Sequence, residues 1–167
     1  MAHDITKGEM MKNTIIGLLL TLVIFSSTFS DAQTDTKPGP KDKCPVCGMF
    51  VQPYPDWLAE MVFQDGSIYY FDGVKDLAKF YLKLDKYAPQ KNIEDIKSIM
   101  VTEYYGLKMI DAKKAYFVMG SDILGPMGRE LIPCLTKEDA EVFRKDHKGK
   151  KILQFHDINL SVLDDLN

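Results

Sequence analysis

The stretch WLAEMVFQDGSIYYF, residues 57–71, decides the fold. Two runs rich in aromatic and β-branched side chains flank the pair Asp65-Gly66. Asp-Gly between such runs is a strong signal for a β-hairpin, because glycine accepts the backbone conformation that the turn requires. The sequence therefore predicts one strand over residues 57–63 and a second, antiparallel strand over residues 67–71.

A helix and a third strand are predicted directly after this hairpin. Asp72 is suited to cap the helix. Apolar residues then recur with the i, i+3, i+4, i+7 spacing of one helical face, at Val74, Leu77, Ala78, Tyr81 and Leu84. Residues 87–92 are predicted to be a loop, and residues 99–105 a third strand. Together these elements form a ββαβ unit.

The same order of elements recurs in the second half of the chain. The predicted elements are a strand over 115–119, a loop over 120–128, a strand over 130–135, a helix capped by Thr136 with Asp139 three residues on, and a closing strand over 151–155. The sequence thus predicts an α+β fold of two ββαβ units, and a duplication is one interpretation of the recurrence.

The start of the chain has the parts of an export signal. Lys12 gives a short basic segment, residues 15–25 are mostly apolar, and Ser30-Asp31-Ala32 places small residues before a cut at Gln33. The apolar run is shorter than the roughly 20 residues of a membrane-spanning helix. We therefore expect a periplasmic protein without a membrane span after cleavage, and an uncleaved N-terminal anchor is the alternative.

The remaining boundaries follow from composition. The predictions are a leader and signal peptide over residues 1–32, a flexible polar linker over 33–43, one metal-binding domain over 44–156 and a short C-terminal tail over 157–167. The net charge is −3 with both signs well mixed. Because no basic patch is clustered, nucleic acid is not expected as a partner.

The densest chemistry lies in Cys44-Pro45-Val46-Cys47-Gly48-Met49. Two thiols and one thioether fall within six residues, and Gly48 allows the backbone to turn tightly between them. Thiolate and thioether are soft ligands that select copper(I), whereas thioether is not a usual zinc ligand. Met49 therefore favours copper(I) as the bound ion.

Three other interpretations of this hexapeptide stay open. A structural zinc site needs two further ligands, and Phe71-Asp72-Gly73-Val74 at the predicted helix start offers no Cys or His. A thiol-redox pair is typical of a βαβ context, whereas Pro53 and Pro55 follow this pair. A disulfide between Cys44 and Cys47 would close a loop too short to gain much stability.

Two more sulfur-bearing residues differ in their expected roles. Cys134 lies in an apolar run and is predicted to be a core residue. Met127 stands between two turn-forming residues in Gly125-Pro126-Met127-Gly128, where no core face is available, and is predicted to be a thioether ligand. No combination of nucleophile, base and orienting group is recognisable, so no enzyme is expected.

Taken together, four motifs resemble the NosL family, the accessory proteins of nitrous oxide reductase. The motifs are Cys44-Pro45-Val46-Cys47-Gly48-Met49, Phe71-Asp72-Gly73, Met109-Ile110-Asp111-Ala112 and Gly125-Pro126-Met127-Gly128. The resemblance covers residues 44–155. Two departures are Met109, where the family usually has Trp, and the lack of a lipid-anchor Cys after the signal peptide.

The resemblance implies a periplasmic copper(I) chaperone that supplies nitrous oxide reductase, through its maturation machinery, or a related apo copper enzyme. It implies metal ligands at Cys47, Met49 and Met127, with Cys44 as a less secure fourth. It also implies a fold similar to an organomercury-lyase domain or a treble clef. An organomercury-lyase-like or thiol-redox enzyme is the alternative from another functional class, and such a lyase would need a third cysteine, for which only Cys134 is available.

Overall fold

Two antiparallel sheets and their helices make up residues 37–166, the part of the chain that the computed structural model describes. The strands are β1 (Ala59–Phe63), β2 (Ile68–Phe71), β3 (Ile96–Thr102), β4 (Met109–Asp111), β5 (Tyr116–Gly125), β6 (Gly128–Cys134) and β7 (Lys151–Gln154). The α-helices are α1 (Val74–Leu82), α2 (Leu84–Tyr87), α3 (Lys137–Asp146) and α4 (Leu160–Asp164), and short 3-10 helices cover Pro55–Trp57, Ile93–Asp95 and Phe155–Asp157.

The two sheets are built on the same plan. In the first sheet, with order β2-β1-β3-β4, the opening strand β1 pairs with its hairpin partner on one side and with the strand after α1 on the other. In the second sheet, with order β6-β5-β7, strand β5 makes the corresponding two pairings. The predicted order of strand, strand, helix and strand is therefore present twice, as a first and a second ββαβ unit.

The first hairpin has the predicted turn. The Phe63 N–H donates to the Ser67 carbonyl at 2.9 Å, and Gly66 takes a φ of +85°. A side chain is disfavoured at that φ, so glycine is the residue that closes the turn most cheaply. Asp65 accepts a hydrogen bond from the Ser67 N–H at 3.1 Å and thereby orders the turn further.

Two predicted boundaries are wrong for identifiable reasons. Strand β3 ends at Thr102, before the predicted end at residue 105, because the Glu103 carboxylate accepts from the N–H groups of Tyr105 and Gly106 and forms a turn there. The predicted loop over 120–128 is instead mostly strand. The register of β5 on β6 shifts between Met119 and Leu124. A β-bulge of this kind accommodates extra residues in one strand without ending the pairing.

The second hairpin therefore closes on a turn of only two residues, Pro126 and Met127. Gly125 pairs with Gly128 directly across it, and Gly128 has a φ of +84°. Met127 is 44% exposed at the tip. Met127 therefore lies at the tip of the β5–β6 hairpin, outside the core.

The second sheet is buried on both faces. Phe117 and Leu131 belong to the main core with α1 and the first sheet, whereas the adjacent Val118 and Ile132 pack under α3 with Phe143. Successive side chains of a strand point to opposite faces, so consecutive apolar residues are what a doubly covered sheet requires. Cys134 lies in the cluster under α3 and is 0% exposed, which confirms its predicted core role.

The two long helices begin in different ways. Helix α3 has the predicted cap, since Thr136 Oγ1 accepts from the Asp139 N–H at 3.1 Å. The predicted cap of α1 is wrong, because its N-cap is Gly73 and no side chain of that segment caps it. Its acceptor is Glu130 of β6, whose Oε1 takes the Lys75 N–H at 2.6 Å and also the Leu131 N–H at 2.8 Å.

The remaining predictions at the two ends of the chain have different outcomes. The signal peptide and the first part of the linker fall on residues 1–36, outside the described residues. Residues 39–42 form a turn in which the Gly39 N–H donates to Asp42 Oδ2 at 2.7 Å. The C-terminal segment contains α4, which packs on α1 and buries Leu163. No helix within residues 37–166 combines the length and apolar character needed to cross a bilayer.

We predict that Glu130 makes the fold less stable as the pH rises. Burial raises the pKa of Glu130 from 4.5 to about 8. A group whose pKa is higher in the folded state binds more protons there, so its contribution is full at low pH and is lost as the pH rises through the folded-state pKa. The free energy of unfolding should therefore decline between about pH 5 and about pH 9.

Glu130→Gln isolates this contribution, because glutamine keeps an acceptor for both N–H groups and does not titrate. Urea denaturation at several pH values should show a shallower decline for the variant than for the unaltered chain. Equal slopes for the two proteins would show that Glu130 does not titrate in this range.

Candidate metal centre

The loop from Cys44 to Met49 is folded tightly by its own backbone. The Cys44 N–H donates to the Met49 carbonyl at 2.8 Å, and the Gly48 N–H donates to the Cys44 carbonyl at 2.9 Å. Gly48 has a φ of +81°, which confirms that the turn requires glycine. An isolated antiparallel bridge between Lys43 and Phe50 closes the loop. The backbone therefore holds both thiols in a fixed arrangement.

Two carboxylates from the start of α1 meet these thiols. Cys44 Sγ donates to Asp76 Oδ2 at 3.3 Å, and Cys47 Sγ donates to Asp72 Oδ1 at 3.3 Å. One sulfur or oxygen atom from each of the four residues lies within 4.8 Å of the others. We call Cys44, Cys47, Asp72 and Asp76 the Cys2Asp2 cluster.

Burial sets the protonation of the cluster. Cys44 is 1% exposed, and desolvation, with smaller contributions from Asp72 and Asp76, raises the pKa of its thiol far above the ordinary value. Desolvation also raises the pKa of Cys47 to about 11, and this thiol is only partly buried. Both thiols are therefore protonated at neutral pH in the metal-free protein, and a metal ion has to displace those protons.

One oxygen of the cluster has no partner. Asp72 is 1% exposed, and its Oδ2 is buried without a hydrogen-bond donor among residues 37–166. An unsatisfied buried acceptor costs on the order of 1–3 kcal/mol. A cation within reach of this oxygen would remove that cost, so the donor set is suited to a metal ion.

A groove of about 490 Å³ opens beside the cluster and is lined by residues of both ββαβ units. Cys47 and Asp76 line it from the first unit, and Met127 lines it from the turn of the second. Lys75, Lys79 and Leu163 form other parts of its wall. The structure therefore brings the predicted residues Cys47 and Met127 to one place although they are 80 residues apart.

The other two predicted ligands lie differently. Cys44 is in the cluster, but deeper than Cys47. Met49 is half-buried in the loop and is absent from the described residues that line the groove. Of the four predicted ligands, Cys47 and Met127 therefore line the groove, Cys44 is a buried thiol of the cluster, and Met49 does not line the groove.

Sequence reasoning missed both carboxylates. Asp72 is predicted as a helix cap, and the zinc interpretation considers only Cys and His at the helix start. The spacing of Asp72 and Asp76 is i, i+4, which would place two side chains on one face of a helix that begins at Asp72; in the structure Asp72 precedes the helix and still meets Asp76 in the cluster. That spacing, opposite a Cys-x-x-Cys loop, was the available signal. The argument that two further ligands for zinc were lacking is therefore wrong, because carboxylates are also zinc ligands.

The cluster does not have the properties of a thiol-redox site. Reactive cysteines have a lowered pKa, usually near a positive charge or a helix N-terminus without acids. Here burial and two carboxylates raise the pKa of both Cys44 and Cys47. Cys134, the third cysteine that a lyase would need, lies in the other core cluster.

The fold and the site thus define a protein of two ββαβ units with a cluster of two thiols and two carboxylates that could hold a metal ion. The chain belongs to the NosL family, whose sequence model matches residues 35–163. This confirms the family that the motifs indicated. The copper-binding lipoprotein NosL of Stutzerimonas stutzeri is 27% identical over 130 residues, which are 73% of this chain and 64% of that protein. The chain therefore spans less than two thirds of the length of this relative.

A solved NosL structure shares the fold of this chain. The copper chaperone NosL from Shewanella denitrificans has a TM-score of 0.62 at 25% identity, over 75% of this chain and 96% of that one. Apo-NosL from Achromobacter cycloclastes has a TM-score of 0.44 at 23% identity, over 63% and 87% of the two chains. The names of two of these proteins, a copper-binding lipoprotein and a copper chaperone, agree with the prediction of a binding protein.

We predict that Cys47 is the first thiol to react with a small alkylating reagent. Cys47 is partly exposed on the groove, whereas Cys44 and Cys134 are buried and have still higher pKa values. A time course of iodoacetamide labelling on the metal-free, reduced protein, resolved by peptide mass spectrometry, should show Cys47 modified well before the others. The same reaction in urea is the control, and there the three rates should converge. Equal rates for Cys44 and Cys47 in the folded protein would contradict the burial described above.

Proposed function

We propose that this chain is a periplasmic copper(I) chaperone that delivers its ion to an apo copper enzyme. The observation that carries the proposal is the shared groove, which is lined by Cys47 of one unit and Met127 of the other. The family and the names of its relatives support copper as the cargo. Nitrous oxide reductase and its maturation machinery are the partners that we infer from the family.

The donor types support copper(I) over harder ions at the groove. Copper(I) prefers thiolate and thioether sulfur. Cys47 supplies a thiolate and Met127 a thioether, while Met49 and Cys44 lie in the same short loop as Cys47. We propose Cys47, Met49 and Met127 as the copper(I) ligands, with Cys44 as an auxiliary thiol.

The position of the groove suits delivery. Met127 is exposed at the tip of a two-residue turn, so an approaching partner can reach it. A neutral thioether holds the ion less firmly than a thiolate does, and a partner's ligand can replace it first. The ion would then stay bound through Cys47 until the exchange is complete.

Export and domain organisation complete the proposal. We propose that residues 1–32 direct the chain to the periplasm and are then removed, that residues 33–43 link the start to the domain over 44–156, and that 157–167 form a tail. The order β2-β1-β3 within the first sheet corresponds to β6-β5-β7 in the second, and this supports a duplication of one ββαβ unit, which we also propose.

A second candidate function is the binding of a divalent ion such as zinc in the Cys2Asp2 cluster. The observation that favours it is the unpartnered Asp72 Oδ2, buried beside the two thiols. Two thiolates and two carboxylates would give zinc the four ligands of a closed tetrahedral site. This site requires Cys44, whereas the copper(I) site does not.

Replacing Met127 tests the copper(I) site. Leucine has nearly the same volume, and such swaps usually cost less than about 1.5 kcal/mol even in a core. Met127→Leu should therefore leave the melting temperature of the metal-free protein almost unchanged, because the side chain lies on the surface. It should weaken copper(I) binding in anaerobic competition with a chromogenic chelator.

Met119→Leu is the matched control, because Met119 is 5% exposed and belongs to the main core. This control should keep the copper(I) affinity of the unaltered chain. If Met127→Leu keeps that affinity too, Met127 is not a ligand and the proposed copper(I) site fails.

Exchanging each cysteine of the loop for serine separates the two candidate functions. Cys44→Ser should retain copper(I) through the sulfur atoms of Cys47, Met49 and Met127, but should lose zinc because one of two thiolates is gone. Cys47→Ser should lose both ions. Copper(I) and zinc stoichiometries under reducing conditions measure this, with Cys134→Ser as the control for a buried thiol away from the site. Equal loss of copper(I) in Cys44→Ser and Cys47→Ser would show that copper(I) needs both thiols.

A further inference from the structure

We infer that Lys75 and Glu130 form a clasp that positions Met127 over the metal site. The inference rests on the proposed function, because it assigns a role toward the copper(I) ion that Met127 is proposed to bind. Neither residue offers a soft ligand, so both act as positioning residues rather than as metal ligands.

The clasp consists of two hydrogen bonds made by one residue of α1. The Lys75 backbone N–H donates to Glu130 Oε1 at 2.6 Å, and the Lys75 side-chain Nζ donates to the Met127 carbonyl at 2.9 Å. Glu130 and Met127 belong to the same hairpin and are three residues apart. Lys75 is therefore hydrogen bonded to the second hairpin at two points, Met127 in the turn and Glu130 in β6.

Close packing around the Glu130 side chain fixes the position of its carboxylate. A Cβ atom at Gly73 would overlap the Glu130 carboxylate, so the α1 start can approach the hairpin only without a side chain there. On the hairpin, a Cβ at Gly125 would lie 3.2 Å from Glu130 Cγ and 3.3 Å from Trp57 Cε3. Glu130 thus fills a space that two glycines keep open, and its carboxylate is fixed against the helix.

The clasp also fixes the distance between the two halves of the proposed site. Asp76 follows Lys75 directly on α1 and is hydrogen bonded to Cys44 in the Cys2Asp2 cluster. The same turn of helix is therefore attached to the thiol loop on one side and to the Met127 turn on the other. Without the bond from Lys75 Nζ, the exposed turn would keep more freedom, and part of the binding free energy would be spent on ordering it.

A double-mutant cycle between Lys75 and Met127 tests the inference. Lys75→Leu removes the bond to the Met127 carbonyl without adding a sulfur ligand to the groove. Because part of the binding free energy would then be spent on ordering the Met127 turn, copper(I) affinity should fall about tenfold in the unaltered background. In the Met127→Leu background the same change should alter the affinity by less than about twofold, since no thioether remains to be positioned.

Lys79→Leu is the matched control for the loss of a positive charge. Lys79 lines the same groove, and its replacement should change the copper(I) affinity by the same factor in both backgrounds. Nitrogen-15 relaxation of the metal-free protein adds a readout without copper. Lys75→Leu should increase fast motion at the amides of Met127 and Gly128, and leave those of Val118 and Ile132 as they were.

The outcomes are distinguishable. An equal loss of affinity in both backgrounds, or no loss in either, overturns the clasp while the copper(I) site stands. If Met127→Leu alone leaves the affinity unchanged, the proposed ligand fails and the clasp fails with it. If Lys75→Leu lowers the melting temperature markedly, Lys75→Gln serves in its place, because it keeps a polar side chain but removes the charged donor, and the same cycle decides the question.

Discussion

The hydrogen bond between Glu130 and the start of α1 is the interaction on which the rest of the site depends. The first N–H groups of a helix have no partner within the helix and require an acceptor from elsewhere. In α1 that acceptor comes from β6 of the second unit, since no side chain next to the helix start caps it. This bond therefore connects the two ββαβ units. Because Glu130 accepts from the helix start, Asp72 does not act as the cap that its place in the sequence suggests. Asp72 contacts Cys47 instead.

The first turn of α1 serves three parts of the molecule at once. Its carboxylates Asp72 and Asp76 contact the thiol loop, its backbone N–H meets Glu130, and the Lys75 side chain contacts the Met127 turn. The positive end of the helix dipole also favours negative charge at this position, which helps the protein to keep carboxylates there. A displacement of this turn would therefore change both sides of the groove together.

The sequence predicted the parts of the structure that local chemistry determines. The Asp65-Gly66 turn, the Thr136 cap and the tight loop at Gly48 each follow from short-range rules, and the structure has all three. The carboxylates of the cluster and the role of Glu130 did not follow, because they depend on contacts across 25 to 55 residues. From the neighbouring sequence alone, Asp72 is expected to cap the helix that follows it.

The second hairpin shows the same limit. Its glycines and proline are typical of a loop, and a loop was predicted over 120–128. The pairing of β5 with β6 overrides that local preference, because a bulge absorbs the irregular residues and β5 continues to Gly125. The expectation that Met127 has no core face is nevertheless confirmed, since the residue is 44% exposed at the tip of the hairpin.

The number of protons that an ion must displace distinguishes the two proposed ions better than net charge does. A buried charge is costly unless it is compensated. Counting both carboxylates of the cluster as charged, copper(I) with the Cys47 thiolate would leave two negative charges, and Cys44 could keep its proton and its bond to Asp76. Zinc with two thiolates and two carboxylates would leave the same net charge, but both thiols would first have to lose their protons. The raised pKa of Cys44 therefore works against the divalent site more than against the copper(I) site. A carrier benefits from this difference, because the ion it must release is bound with only one proton displaced.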